Sequence, residues 1–129
     1  MPTYLSHLFL ETTNLTQTRH FWTHALGLTL LEDRGPYIKI GDPHAHGFTI
    51  GIEQHPDPAA ARQRIANARG ELPEITIHVD NVDATAAHLQ TLGIPIEDGP
   101  ADQPWGARHA WLRDPDGRRI SIYSENEPH

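Results

Sequence analysis

The sequence predicts an α+β domain assembled from two copies of one unit, ordered strand, helix, strand, strand, strand. Three observations carry this. Asn14 and Asn81 each open a helical stripe, Gly27 and Gly93 each close it, and strand-like runs of alternating residues flank both. The offset between the copies is nearly constant: 67 from Asn14 to Asn81, 66 from Gly27 to Gly93 and 70 from Ile50 to Ile120. Order and spacing that agree together identify an internal repeat.

In the first copy, Leu5 to Glu11 alternates as a strand before the polar cluster Thr12-Thr13-Asn14. Asn14 followed three residues later by Gln17 has the form of a capping box, and Leu15, Thr18, Trp22, Ala25 and Leu26 then recur at helical spacing up to Gly27. Leu28 to Glu32, Tyr37 to Ile40 and Phe48 to Glu53 read as three further strands, divided by Arg34-Gly35-Pro36 and by the turn residues after Gly41. In the second copy, Glu74 to Val79 is the first strand. Val82, Ala86, Leu89 and Leu92 form the helical stripe, and Ile94 to Glu97, Arg108 to Leu112 and Arg119 to Ser124 supply the remaining strands. Asp114-Pro115-Asp116-Gly117 is the last turn. The whole chain, 1–129, is thus expected to form one domain, with module one at 4–54, a linker at 55–72 and module two at 73–124. The linker carries one short Ala- and Arg-containing surface helix; a lid over a binding mouth would have the same composition.

Composition narrows the function classes. A chain of 129 residues buries roughly two thirds of its unfolded surface, so it needs no metal or disulfide merely to fold. Cysteine is absent, which removes thiolate nucleophiles and cysteine-ligated zinc and suits a reducing compartment. No apolar run reaches the roughly 18 residues of a membrane span, and Met1-Pro2-Thr3-Tyr4 lacks the features of a secretory signal, so the expected location is cytoplasmic, away from membranes. With a net charge of −7 and scattered basic residues, nucleic acid is not an expected partner. Ten histidines give ample material for proton transfer or metal ligation.

The paired βαβββ unit, with Asn14-Leu15 and Asn81-Val82 opening the helices, Leu26-Gly27-Leu28 and Leu92-Gly93-Ile94 closing them, and Asp114-Pro115-Asp116-Gly117 before the last strand, resembles the vicinal oxygen chelate superfamily. This is the glyoxalase, bleomycin-resistance and extradiol-dioxygenase group. The resemblance runs from Tyr4 to Ser124 and implies two modules whose curved mixed sheets make a cup, commonly in a homodimer. It does not select a function, because the same cup serves lyases, isomerases, epimerases, dioxygenases, thiol transferases and proteins that only sequester a drug. Metal-using members place ligands at the start of the first strand and in the last strand of each unit. Those positions fall on His7 and Glu74, and on Gly51 and Ser121. Two donors are thereby lost, since glycine has none and a neutral serine hydroxyl replaces carboxylate oxygen poorly.

The expected function is accordingly a small-organic-molecule binding protein of the glyoxalase and bleomycin-resistance type, with no cofactor and an incomplete metal set. His7, Glu74, Ser121, His109, Trp111 and Arg119 are the ligand-binding candidates. The alternative is a divalent-metal-dependent lyase or isomerase of the glyoxalase I type. There His7 and Glu74, with Glu53 as a displaced third ligand, would hold the ion, and Glu11 or His78 would carry the proton. A metal-free variant would use His7 and Glu74 directly as acid and base.

Overall fold

A computed structural model describes residues 7–44, 48–67 and 74–125. Leu5 and Ser6, where the first strand was expected to begin, and the end of the 55–72 segment lie outside the described residues. The chain divides into two compact units, Met1–Asn67 and Ala68–His129. Each carries a four-stranded mixed sheet backed by helix, and the two sheets share one topology.

In the first unit the strands are β1 (Leu8–Thr12), β2 (Thr29–Asp33), β3 (Tyr37–Gly41) and β4 (Thr49–Gln54), in spatial order β1-β4-β3-β2. β1 runs parallel to β4, and the other pairings are antiparallel. Alternate residues Leu10, Ile38, Ile40, Ile50 and Ile52 turn to one face and are buried there. The expected single helix is split in two. Its first part is α1 (Leu15–His20), and a π-helical turn, Phe21–Ala25, follows, closed by the Leu26 N–H donating to the Phe21 carbonyl at 3.0 Å. The wider turn allows the adjacent rings of Phe21 and Trp22 to be buried together with Ala25, the two rings meeting edge to face at 5.3 Å.

The predicted start signal is present, with one partner exchanged. Asn14 Oδ1 accepts the Gln17 N–H at 3.0 Å, but the Asn14 N–H donates to Thr12 Oγ1 at 3.3 Å rather than to the Gln17 side chain. Gln54, at the end of β4, accepts the Leu15 N–H at 2.7 Å and donates to the Thr13 carbonyl at 3.1 Å, fixing the helix start to the sheet. The segment after β4 contains α2 (Pro58–Asn67), which lies against β1 and buries Ala61.

In the second unit β5 (Ile75–His78), β6 (Asp98–Asp102), β7 (Ala107–Arg113) and β8 (Arg119–Glu125) lie in the order β5-β8-β7-β6, with β5 parallel to β8. Helix α3 (Val82–Thr91) rests on β6, β7 and β8. Its Val82, Ala86 and Leu89 meet a face built from Ile75, Ala110, Leu112, Ile120 and Ile122, all buried. Asn81 caps α3 by accepting the Ala84 N–H at 2.9 Å. Replacing Asn81 with alanine is expected to lower stability by about 1 kcal/mol, with Asn81→Ser retaining most of it, as read by urea denaturation. Gly27 and Gly93, the predicted stops, take φ of 76° and 80°, a backbone region that a side chain disfavours.

β6 departs from expectation. The sequence places this strand at Ile94 to Glu97, whereas pairing with β7 opens at the Glu97 N–H, which donates to the Trp111 carbonyl at 2.7 Å, and continues through Asp98–Asp102. Asp-Gly-Pro-Ala-Asp is a poor strand sequence, but β6 is an edge strand, where a proline without an N–H leaves no inner ladder bond unmade.

The strand pairing reproduces the repeat register. Leu8 faces Ile50, and Ile75 faces Ile120. His7 and Glu74 therefore precede equivalent residues, and Gly51 and Ser121 are equivalent.

Candidate functional site

In the second unit, the sheet face turned away from α3 carries the chemistry. Alternation puts Thr76 and His78 of β5, Arg119, Ser121 and Tyr123 of β8, and His109 and Trp111 of β7 on that face. The ladder pairs Thr76 with Ser121, Ser121 with Trp111, and Tyr123 with both His78 and His109. The His109 ring stacks on Trp111 at 5.0 Å and on Tyr123 at 5.4 Å, with planes inclined by 25° and 21°. Trp105, 63 % exposed in the loop before β7, meets His109 edge on at 5.5 Å. His78 sits edge on to Tyr123 at 5.1 Å, and its Nε2 lies 2.9 Å from Glu125 Oε2. That hydrogen bond holds the Glu125 carboxyl below its usual range. The result is a continuous aromatic strip across three strands.

One end of the strip is charged. Trp111 Nε1 donates to Glu74 Oε1 at 3.1 Å, Arg119 Nε stands 3.4 Å from the same oxygen, and the Arg119 guanidinium lies 5.2 Å above the Trp111 ring. Glu74 and Arg119 thus neutralise one another beside an indole face, a cation and aromatic pairing of modest strength at a partly exposed site. Ser121 is 0 % exposed, and its hydroxyl donates to Thr76 Oγ1 at 2.8 Å. Its role in the strand is to satisfy a buried cross-strand hydrogen bond.

The corresponding face of the first unit differs. Phe9 and Glu11 of β1 and Gly51 and Glu53 of β4 share it. A Cβ built on Gly51 would collide with Tyr37, whose Cε2 and Cζ both stand 3.0 Å from that point. Glycine at 51 is thus what makes room for the Tyr37 ring. Glu11 Oε2 lies 3.5 Å from His55 Nε2, Phe9 is 48 % exposed, and Glu53 is exposed beside its β3 neighbour Tyr37.

Of the expected site residues, the structure brings Glu74, His109, Trp111, Ser121 and Arg119 onto one face of the second unit, with His78 joined to them through Tyr123. His7, Glu11 and Glu53 belong to the first unit. His78, the expected proton carrier, pairs with Glu125. Sequence reasoning passed over Tyr123 and Tyr37. Tyr123 was accessible from alternation, two residues beyond Ser121, whereas the placing of the Tyr37 ring over Gly51 depends on cross-strand geometry.

The family model described as Glyoxalase/Bleomycin resistance protein/Dioxygenase superfamily matches residues 4–122. The chain belongs to this superfamily. Among solved members of similar fold, TnmS3, an antibiotic binding protein from Streptomyces sp. CB03234, is 23% identical with a TM-score of 0.74, covering 97% of this chain and 98% of its own. A glyoxalase/bleomycin resistance protein from the same Streptomyces is 23% identical, with a TM-score of 0.66 over 93% of this chain and 99% of its own. A glyoxalase/dioxygenase from Nostoc punctiforme is 19% identical, with a TM-score of 0.75 over 95% of this chain and 91% of its own. At these identities the likeness establishes the fold alone.

Members of the superfamily often use divalent metals, and the residues at the equivalent positions fit such an ion poorly. Gly51 offers no donor and has a phenol over it, Ser121 is buried and bonded to Thr76, and Glu74 is engaged by an indole N–H and a guanidinium. A stable site needs about three converging donors. Among the described residues no group of three His, Asp and Glu side chains is placed to hold one.

Proposed function

We propose that this superfamily member binds a small, flat organic molecule on the aromatic strip of its second unit, in the manner of a sequestering protein and without a metal. The observation that carries the proposal is the run of Trp111, His109 and Tyr123 rings with Trp105 at its edge. The rings stack on one another along the sheet, so the strip turns a row of ring edges toward a ligand, and the sheet fixes them beforehand at little ordering cost. Glu74, Arg119 and Ser121 border the strip, with the Glu74 and Arg119 charges paired beside Trp111. The antibiotic-binding description of TnmS3 supports a ligand of drug size. We assign the protein to the cytoplasm as a homodimer, the assembly often found among relatives.

The test is a titration of tryptophan emission with cationic and neutral flat aromatic compounds, before and after dialysis against a chelator. Saturable quenching that is unchanged by the chelator is expected, together with no stoichiometric uptake of nickel, zinc, manganese or iron(II). Stoichiometric uptake that His7→Ala abolishes, or quenching that requires added metal, would favour the metal-dependent lyase or isomerase, with Glu53 the third ligand to examine and Glu11 and His78 the proton carriers.

A further inference from the structure

At the charged end of the strip, Arg119 has most of its hydrogen-bonding capacity unused. Its guanidinium lies 5.2 Å above the Trp111 ring, and its Nε is 3.4 Å from Glu74 Oε1, longer than the roughly 2.7–2.9 Å of a charge-assisted hydrogen bond. Glu74 is restrained from closing that gap, because the same oxygen accepts the Trp111 Nε1–H at 3.1 Å. Neither Nη1 nor Nη2 of Arg119 donates to a described residue, and the side chain is 45 % exposed. The other described arginines of this unit are committed. Arg108 is held by Asp83 and Asp102, Arg113 by Glu97 through Nε and Nη2 and by the Gly117 carbonyl through Nη1, and Arg118 by Asp114. Arg113 is also the direct ladder partner of Arg119, and like charges so placed destabilise a sheet.

From this geometry we infer that Arg119 determines the specificity of the strip, the edge formed by its Nη1 and Nη2 receiving a carboxylate, so that the ligand is a flat ring system bearing a carboxylate on a short saturated arm. This rests on the strip being the ligand surface. A guanidinium presents parallel N–H donors along its edge, and the pair on Nη1 and Nη2 matches the two oxygens of a carboxylate. Contact with Trp111 and Glu74 confines the Arg119 side chain before a ligand arrives, so less rotamer freedom is lost on binding. The paired carboxylate lies in the plane of the guanidinium, whereas the ring lies across the row of ring edges, and a saturated carbon between them lets each keep its own orientation. An anion at this edge also offsets the repulsion between Arg119 and Arg113. A cationic arm would meet the guanidinium with like charge.

Three probes with one ring system separate the terms: naphthylacetate ends in an anion, naphthylacetamide in a neutral amide and naphthylethylamine in a cation. By calorimetry at low salt, the wild-type protein is expected to bind the acetate roughly threefold to tenfold more tightly than the amide, with the amine weakest, and the ratio of acetate to amide affinity is expected to shrink as salt is added. The net charge of −7 pulls the other way, toward the amine, so a preference for the acetate reports a local group. Arg119→Gln is expected to bring the ratio to about one. Glu74→Gln, which removes the competing carboxylate and keeps an oxygen for the Trp111 N–H, is expected to raise it. Equal binding of acetate and amide by wild type, tightest binding of the amine, a ratio that survives Arg119→Gln or one that falls in Glu74→Gln would each overturn the inference while leaving ring binding intact. Failure of all three probes to bind would overturn the ring-binding surface and the inference with it.

Discussion

Asp114→Ala is expected to destabilise the protein by about 3–5 kcal/mol, read from urea or thermal denaturation, out of the roughly 5–15 kcal/mol typical of a domain. Asp114 closes the turn into β8. Its Oδ1 accepts the Asp116 N–H at 3.0 Å and the Arg118 N–H at 2.7 Å, and its Oδ2 takes Arg118 Nη1 at 3.1 Å. Both partners are buried, at 4 % and 6 % exposure. Removing the carboxylate takes from the buried Arg118 guanidinium its 3.1 Å partner and leaves Asp116 beside it at 3.4 Å, and most of the loss is the cost of weakening the compensation of that buried charge. Arg118→Met added to Asp114→Ala is therefore expected to recover part of the stability; a double variant as weak as the sum of the singles would show that the backbone hydrogen bonds dominate instead.

The same residue has a distinctive pH signature. Burial pushes the Asp114 carboxyl above the ordinary aspartate value, outweighing the attraction of Arg118. With its folded pKa raised above the unfolded one, the protonation-linked part of its contribution is full below the ordinary aspartate pKa and is lost as pH rises through the raised folded value, while the hydrogen bonds to the turn and to Arg118 remain. Asp33, Asp83 and Glu97 behave oppositely. The Gly35 N–H together with Arg19, then Arg108, and then Arg113 respectively hold their pKa values below the usual range, so their contributions are present above it and disappear as the solution is acidified. These three are surface pairs and should weaken with added salt, whereas the Asp114 contribution should not. Acid titrations of Tm at low and high salt, on wild type and Asp114→Asn, separate the two groups.

Much of this architecture can be read from the chain because each signal answers to a local rule. Asn14 and Asn81 do accept helix N–H groups, Gly27 and Gly93 do end the helices, and the near-constant offset between the copies survives as equivalent strand pairing of Leu8 with Ile50 and Ile75 with Ile120. What escaped depends on neighbours distant in sequence. β6 is a strand at an edge that tolerates Pro100, and the π-helical turn goes with the burial of two consecutive rings, Phe21 and Trp22. At the site, the absence of carboxylates from positions 51 and 121 was visible, but its cause was not: Gly51 yields to the ring of Tyr37, and Ser121 to a hydroxyl on the adjoining strand. The substitutions are explained by packing and hydrogen bonding that already occupy the two positions.

Trp111→Ala is expected to weaken the binding of a flat aromatic ligand by about tenfold to a hundredfold, measured by titrating the remaining tryptophan emission or by calorimetry. Two effects combine. The indole supplies the largest ring in the strip and packs against His109, and its removal also releases Glu74 and Arg119, which are placed by its N–H and its π face. Trp111→Phe separates these. Phenylalanine retains much of the stacking area and the cation contact but cannot donate to Glu74, so a loss close to that of alanine would assign the effect to the position of the carboxylate, and a loss of only a fewfold would assign it to stacking. Trp105→Ala sets the scale, since that ring is mostly exposed and meets the strip edge on at His109. If Trp105→Ala weakened binding as much as Trp111→Ala, the ligand would lie over the loop before β7 rather than along the sheet. If neither did, the aromatic face would be no binding surface, and the rings would serve only to cover Ser121 and its hydrogen bond to Thr76.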